Sequence, residues 1–301
     1  MGKLDLKGKR VLVTGGNGYL GTQLVEALKK EQADIFILDR AGQTAINFYQ
    51  VDITKRNEVE DAIQIIQPEI IFHLAASLNR ERNFDRFDQT NDVNHNGTLN
   101  LLLALKDIDY RNFIFTSTSE IYGSNKAPFH EEQIPQPASP YSLTKIYAEQ
   151  LIRNFSSIYN KHFTILRLFN FFGKNMPSEF FIPQMINALQ DNCTFEMTEG
   201  EQKRDFLYID DVVQAMLLSA INEIGQNEIY NVCSGNAVSL KQLVSEINAK
   251  LNSNCEIKFG ALPYRENEVW NMVGDNTKIQ EVLGFELKYD LKNAIAKLLG
   301  G

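Results

Sequence analysis

The run 11-VLVTGGNGYLG-21 limits the possible folds more than any other stretch of the chain. A short apolar strand passes straight into glycines and then into helix-forming residues. Gly16, Gly18 and Gly21 satisfy G-x-G-x-x-G, while Gly15, Gly18 and Gly21 satisfy the related G-x-x-G-x-x-G. Without Cβ atoms the backbone can turn tightly and approach a pyrophosphate at a helix N-terminus, whose partial positive charge favours the anion. A glycine-rich turn without a ligand is the competing explanation for this stretch taken alone.

The next strand narrows the choice. DIFILD ends in Asp39, 18 residues beyond Gly21, where a carboxylate can hold an adenosine ribose diol and would repel a 2′-phosphate. NAD is therefore the expected cofactor, although the guanidinium of Arg40 could accommodate the phosphate of NADP. Gly15, Gly16, Asn17, Gly18, Tyr19, Leu20, Gly21, Asp39 and Arg40 form the candidate cofactor end. Asp52 and Ile53, at the third strand end, could border the adenine; an ordinary helix cap serves Asp52 equally well.

Strand-like and helix-like runs alternate through the first half: RVLVT, a helix over about 19–30, DIFILD, NFYQVD, a helix over about 55–66 and EIIFHLAA. A helix over about 94–105, NFIFTST, a helix over about 141–159 and FTILRL follow. This rhythm predicts a doubly wound parallel Rossmann sheet, α/β in class, covered by helices on both faces. Beyond Arg167 the pattern loosens, although 207-LYIDDVVQAMLLSAI-221 reads as a helix and 228-EIYNVC-233 as a strand returning to the main sheet. The expected division is an NAD-binding domain over 1–170 plus about 205–235, with a smaller interleaved lobe over about 171–204 and 236–301.

Composition excludes several classes. A formal charge of −8 opposes general nucleic-acid binding, which needs surplus Lys and Arg. Three cysteines without CxxC spacing suggest neither a disulfide framework nor a zinc site, and the four histidines show no metal-ligand spacing. His73, inside an apolar strand, reads as a satisfied core residue. No apolar run approaches membrane-spanning length, and the N-terminal run lacks the apolar core of a signal peptide, so a cytoplasmic protein without membrane contact is expected.

Chemistry concentrates in 115-FTSTSEIYG-123 and 140-PYSLTKIYAEQ-150. Tyr141 and Lys145 lie four apart, on one face of a helix. A neighbouring ammonium should stabilise a phenolate and lower the tyrosine pKa from about 10. That phenolate and a hydroxyl from Thr118 could together take the proton of an alcohol whose carbinol hydrogen leaves as hydride.

TGGNGYLG, IFHLAA, FTSTSEIYG, YSLTK, RLFNFFG, RDFLYIDDVV and YRENEVW together resemble the extended short-chain dehydrogenase/reductase superfamily, in particular its nucleotide-sugar epimerases, dehydratases and decarboxylases. The resemblance spans nearly the whole chain. It implies that Thr118, Tyr141 and Lys145 are catalytic and that Leu74, Ala75, Ala76, Tyr141 and Lys145 also border NAD. A nucleoside-diphosphate sugar is the implied substrate, held by Asn170, Arg204, Arg265 and Glu268. A homodimer through a four-helix bundle is implied as well, because the helices over 94–105 and 141–159 carry surplus apolar positions.

Oxidation at C4 of the sugar leaves a ketone that can be re-reduced on the other face, released, decarboxylated or dehydrated. The family's 4,6-dehydratases follow Thr with Asp-Glu; this chain has Thr118-Ser119-Glu120. A serine is too weak an acid to replace that Asp, whereas Glu120 could still act at C5. A 4-epimerase or 4-dehydrogenase is the first expectation, and a UDP-glucuronate-type decarboxylase or 4,6-dehydratase acting through Glu120 the second, with Ser119 and Glu120 both among the candidate catalytic residues. A non-catalytic NAD-binding module is the third, opposed by the presence of Thr118, Tyr141 and Lys145. Arg80, Arg82 and Arg86 lie in a loop that borders the sugar in this fold; they could read a carboxylate, an unusual sugar or a second small acid, or simply be a solvated charged loop.

Overall fold

Short, doubly apolar strands alternating with amphipathic helices build the main layer. The computed structural model describes residues 5–42, 47–78 and 81–300. It begins β1 (Arg10–Thr14), α1 (Tyr19–Lys30), β2 (Asp34–Asp39), β3 (Phe48–Gln50), α2 (Arg56–Ile66), β4 (Ile70–His73), α3 (Phe87–Asn91), α4 (Gly97–Ala104), β5 (Asn112–Thr118), α5 (Pro140–Tyr159) and β6 (Phe163–Leu168). The chain continues β7 (Asn170–Phe172), α6 (Phe181–Gln190), β8 (Phe195–Glu196), β9 (Lys203–Tyr208), α7 (Ile209–Ile221), β10 (Glu228–Val232), β11 (Ala237–Ser239) and α8 (Leu240–Leu251). It ends with β12 (Ile257–Lys258), β13 (Asn271–Met272), α9 (Thr277–Leu283) and α10 (Leu291–Leu298).

Among the described residues the main sheet has the order β10-β6-β5-β4-β1-β2-β3, every neighbour parallel. Each residue of β4, β5 and β6 is buried, as strands covered on both faces require. Alternate residues of β1 divide between two cores. Val11 and Val13 join Leu24 and Met216 on one side, and Leu12 joins Ile63 and Ile152 on the other. Strand order reverses between β1 and β4, which opens a crevice beyond their C-terminal ends.

Two helices differ from their expected bounds. The helix expected to open near Asn94 begins at Phe87 and contains one widened turn, Asp92–Asn96, with i→i+5 bonding. Asn94 lies in this turn, where its amide accepts from the Ser77 N–H at 2.7 Å, returns a bond to the Ser77 carbonyl at 3.2 Å and donates to Thr144 Oγ1 at 3.0 Å. The run 207–221 also divides, because Leu207 and Tyr208 finish β9. The parallel ladder to β7 holds them there, Leu207 opposite Phe171 and Tyr208 opposite Phe172, while the start of β9 pairs parallel with β13 and antiparallel with β11. This smaller sheet and a two-stranded β8–β12 pair surround a separate core that includes Met185, Tyr208, Leu243, Ile247 and Ile295.

Candidate active site

A cleft of about 1000 Å³ runs from the glycine turn to the smaller sheet. At its first end, Gly15 has φ +71° and an added Cβ there would lie 2.7 Å from the Ala75 nitrogen, so the turn and the exit of β4 touch. Gly21 packs against the same turn, its hypothetical Cβ only 2.2 Å from the Gly15 carbonyl, while Gly16 abuts Ile37. Gly18 N-caps α1 and meets only the Gly15 oxygen. The backbone is thus shaped by Gly15 and Gly21 and left open at Gly18, a cradle that fits a pyrophosphate. Asn17, Tyr19 and Leu20 line the same end, with Leu74, Ala75 and Ala76 opposite.

Asp39 closes β2 at the cleft wall. Its carboxylate accepts the Asn17 N–H at 3.0 Å, which fixes it beside the turn. Arg40, Asp52 and Ile53 border the cleft next to it. Asp52 is also the acceptor of a local turn, taking bonds from the Thr54 N–H and hydroxyl at 3.0 and 2.8 Å. These bonds and the charges of Arg40 and Lys55 outweigh burial and hold its carboxyl below the usual range. Replacing Asp39 with alanine should weaken NAD binding by roughly 10- to 100-fold, the loss of a charge-assisted hydrogen bond, and narrow the gap to NADP in calorimetric titration.

Thr118, Tyr141 and Lys145 line the middle of the cleft. Pro140 opens α5 at its first turn and Ser139 caps it by exchanging bonds with Ser142, which orients the Tyr141 turn. Thr118 Oγ1 accepts the Glu120 N–H at 3.2 Å and keeps its own proton to donate. Lys145 Nζ donates to the Thr116 carbonyl at 2.9 Å and stands 5.9 Å from the centre of the Tyr141 ring. Burial pushes Lys145 down to about 7 against the pull of Glu149.

Tyr141 departs from expectation. Burial, aided by the charge of Glu120, raises its phenol above 10, and Lys145 does not reverse this. Desolvation wins because the lysine is itself buried and directed to a backbone carbonyl. The protein alone therefore presents a neutral phenol. His73 is satisfied within the core, bonded to the hydroxyls of Thr14 at 2.7 Å and Thr98 at 2.9 Å. Burial and then the Lys145 charge depress it to about 3, so it stays neutral.

At the far end Glu120 Oε2 accepts the Ser139 hydroxyl at 2.9 Å, whereas Ser119 Oγ lies 3.3 Å from Met272 Sδ. Asn170 Nδ2 is 3.7 Å from the same sulfur. Arg204 donates to the Val269 carbonyl at 2.6 Å and forms a partly buried ion pair with Glu268. Glu268 thus pairs with an arginine while itself lining the cleft. Arg265 is exposed at the cleft mouth. Arg82 reaches the site, but Arg86 is exposed and stands 3.8 Å from Glu81; Arg80 lies outside the described residues.

Sequence reasoning missed the layer behind the site. Glu149 accepts the Ser117 hydroxyl and pairs with Arg167 at 2.8 Å, and Arg167 donates to the Tyr122 hydroxyl at 2.9 Å. Glu149 stands one turn beyond Lys145 on α5, the one clue that spacing offered.

Residues 11–233 match the model of the NAD dependent epimerase/dehydratase family. The chain belongs to this family. It is accordingly an NAD-dependent enzyme of extended short-chain dehydrogenase/reductase type. This epimerase/dehydratase is 30% identical over 305 residues to a Methanocaldococcus jannaschii protein provisionally named UDP-glucose 4-epimerase, covering 96% of this chain and 97% of that one. A Thermotoga maritima UDP-glucose 4-epimerase solved with UDP-glucose superposes with a TM-score of 0.90 at 28% identity, covering 96% and 97%. MoeE5 in complex with UDP-glucuronic acid and NAD superposes at 0.87 with 28% identity, covering 97% and 98%.

Proposed function

We propose that this enzyme oxidises C4 of a nucleoside-diphosphate sugar, acting as a 4-epimerase or a 4-dehydrogenase. The observation that carries the reading is the convergence of the Thr118 hydroxyl, the Tyr141 phenol and the Lys145 amine on one cleft whose far wall bears Asn170, Arg204 and Arg265. Gly15–Gly21 and Asp39 would hold NAD, with Leu74, Ala75 and Ala76 against it. When bound, oxidised NAD supplies a hydride acceptor and a positively charged ring. Lys145 and the positive charge of bound NAD would favour Tyr141 as the phenolate, the form that takes the C4 hydroxyl proton and returns to phenol, while Thr118 donates to the C4 oxygen. Arg204, steadied by Glu268, and Arg265 present guanidinium donors to the diphosphate.

The product follows from what surrounds the ketone. Ser119, with its hydroxyl on Met272 sulfur, offers no acid for a departing C6 oxygen, which disfavours 4,6-dehydration. A second reading, decarboxylation of a 6-carboxylate, is favoured by Glu120 facing the sugar end. Incubating the protein and NAD with UDP-, GDP-, CDP- and dTDP-sugars separates the outcomes by NADH absorbance and product mass. Unchanged mass marks epimerisation, loss of two hydrogens oxidation, and loss of CO₂ decarboxylation. No conversion of any of them would refute the proposal.

Pairing of two copies through α4 and α5 and a cytoplasmic location are parts of the same proposal. On α5, Tyr147, Leu151, Asn154 and Ile158 share one stripe, and Tyr147 and Ile158 are 41% and 64% exposed. Covering that stripe with its symmetry mate would bury both. Ile158→Glu should then shift the light-scattering mass from twice 34.3 kDa to about that value. The three cysteines form no disulfide, which suits a reducing compartment.

A further inference from the structure

Beside the main cleft lies a second, small pocket of about 160 Å³, bordered by Arg82, Thr118, Ser119, Glu120, Arg204 and Arg265 among others. It shares Thr118, Glu120, Arg204 and Arg265 with the cleft, so it opens off the point where the C4 oxygen is proposed to sit. Three guanidiniums and one carboxylate meet there. Arg204 is already paired with Glu268, and Arg204 and Arg265 both come from the smaller lobe, where the diphosphate is proposed to lie.

Arg82 is different in origin and surroundings. It enters from the segment after β4, on the opposite side of the site, and anchors by donating to the Ala138 carbonyl at 3.0 Å, three residues before Tyr141. Among the described residues no carboxylate lies within ion-pair distance of it. Glu120 does not neutralise it, since its Oε2 takes the Ser139 hydroxyl and no ion pair joins the two. A half-buried guanidinium held at the sugar end of a polar pocket, with no acid of its own, has a ready partner only in the ligand.

We infer that this pocket receives a carboxylate carried by the sugar, so that the preferred substrate is a nucleoside-diphosphate uronate and Arg82 is its specificity-determining residue. The inference rests on the nucleotide-sugar reading above and goes further by naming the substrate class. A 6-carboxylate is attached two bonds from C4, which suits a pocket that shares Thr118 with the cleft. A neutral hydroxymethyl group in the same place would leave the guanidinium without a counter-charge.

The test compares kcat/KM for matched pairs, glucose with glucuronate on UDP, CDP and dTDP and GDP-mannose with GDP-mannuronate, in the wild type and in Arg82→Gln and Arg82→Lys. For the pair carrying the accepted base, the wild type should prefer the acid by at least about tenfold. Arg82→Gln should lower that acid-to-neutral ratio by about 10- to 100-fold, chiefly through KM of the acid, as expected for a lost charge-assisted contact, and Arg82→Lys should restore part of it. Because a displaced Ala138 segment would slow both members alike, the ratio isolates recognition from positioning. Turnover of neutral sugars with no preference for the acid, or a ratio unchanged by Arg82→Gln, overturns the inference while leaving the proposed reaction standing. Failure of every pair to react or to bind in calorimetry overturns the reaction and the inference together.

Discussion

Tyr141→Phe is expected to lower kcat by about 10²- to 10⁴-fold, the usual contribution of a positioned acid–base group, with NAD affinity changed less than about threefold. The substitution removes one oxygen and leaves the ring, which fills its place on the first turn of α5 beside Glu120 and Lys145. The cofactor cradle is built elsewhere, from Gly15, Gly18, Gly21 and Asp39, so binding and turnover should separate. Steady-state kinetics on whichever sugar nucleotide proves active, alongside a calorimetric NAD titration, supplies the check. Near-normal turnover would remove the phenol from the proposed mechanism; equal losses of binding and turnover would make it a structural residue.

The second large effect concerns stability. Arg167→Met should cost about 3–5 kcal/mol, because it leaves the Glu149 carboxylate buried without its cation. Glu149 and Arg167 side chains are 1% and 3% exposed, and Arg167 also donates to the Tyr122 hydroxyl and to the Glu131 carbonyl at 3.0 Å. For a chain of this size that cost corresponds to a fall in Tm of roughly 5–10 °C by calorimetry. The double variant Arg167→Met with Glu149→Leu should recover much of the loss, since it removes the stranded charge instead of exposing it to an apolar wall. A single variant as stable as the parent would show that the pair contributes little and that water reaches Glu149.

Much of the main layer is legible in the amino-acid order because its signals are local. Each of Arg10–Thr14, Tyr19–Lys30, Asp34–Asp39, Asn112–Thr118 and Phe163–Leu168 is a strand or helix whose own pattern of apolar residues and flanking turn marks its limits. Thr118, Tyr141 and Lys145 are also recognisable, by residue type and by the four-residue helical interval. Long-range contacts were not readable in this way. The Arg204–Glu268 pair joins residues 64 apart beside the β9–β13 ladder, and Asn94, in the widened turn, bonds to a loop residue 17 positions earlier. Nor does residue type reveal the balance at Tyr141, where the depth of burial, set by the whole fold, outweighs the attraction of a nearby amine.

Strand β9 runs without interruption into α7, while its edge partners β11 and β13 arrive from the last quarter of the chain. The wall proposed to hold the sugar nucleotide is therefore woven from separate stretches, and a crossover between two genes anywhere within 171–265 would divide it between two parents. A recombinant joined near residue 200 would inherit one parent's Asn170 on β7 and the other's Arg204 on β9, mismatched on paired strands, whereas replacing individual side chains on a retained backbone leaves those strands matched.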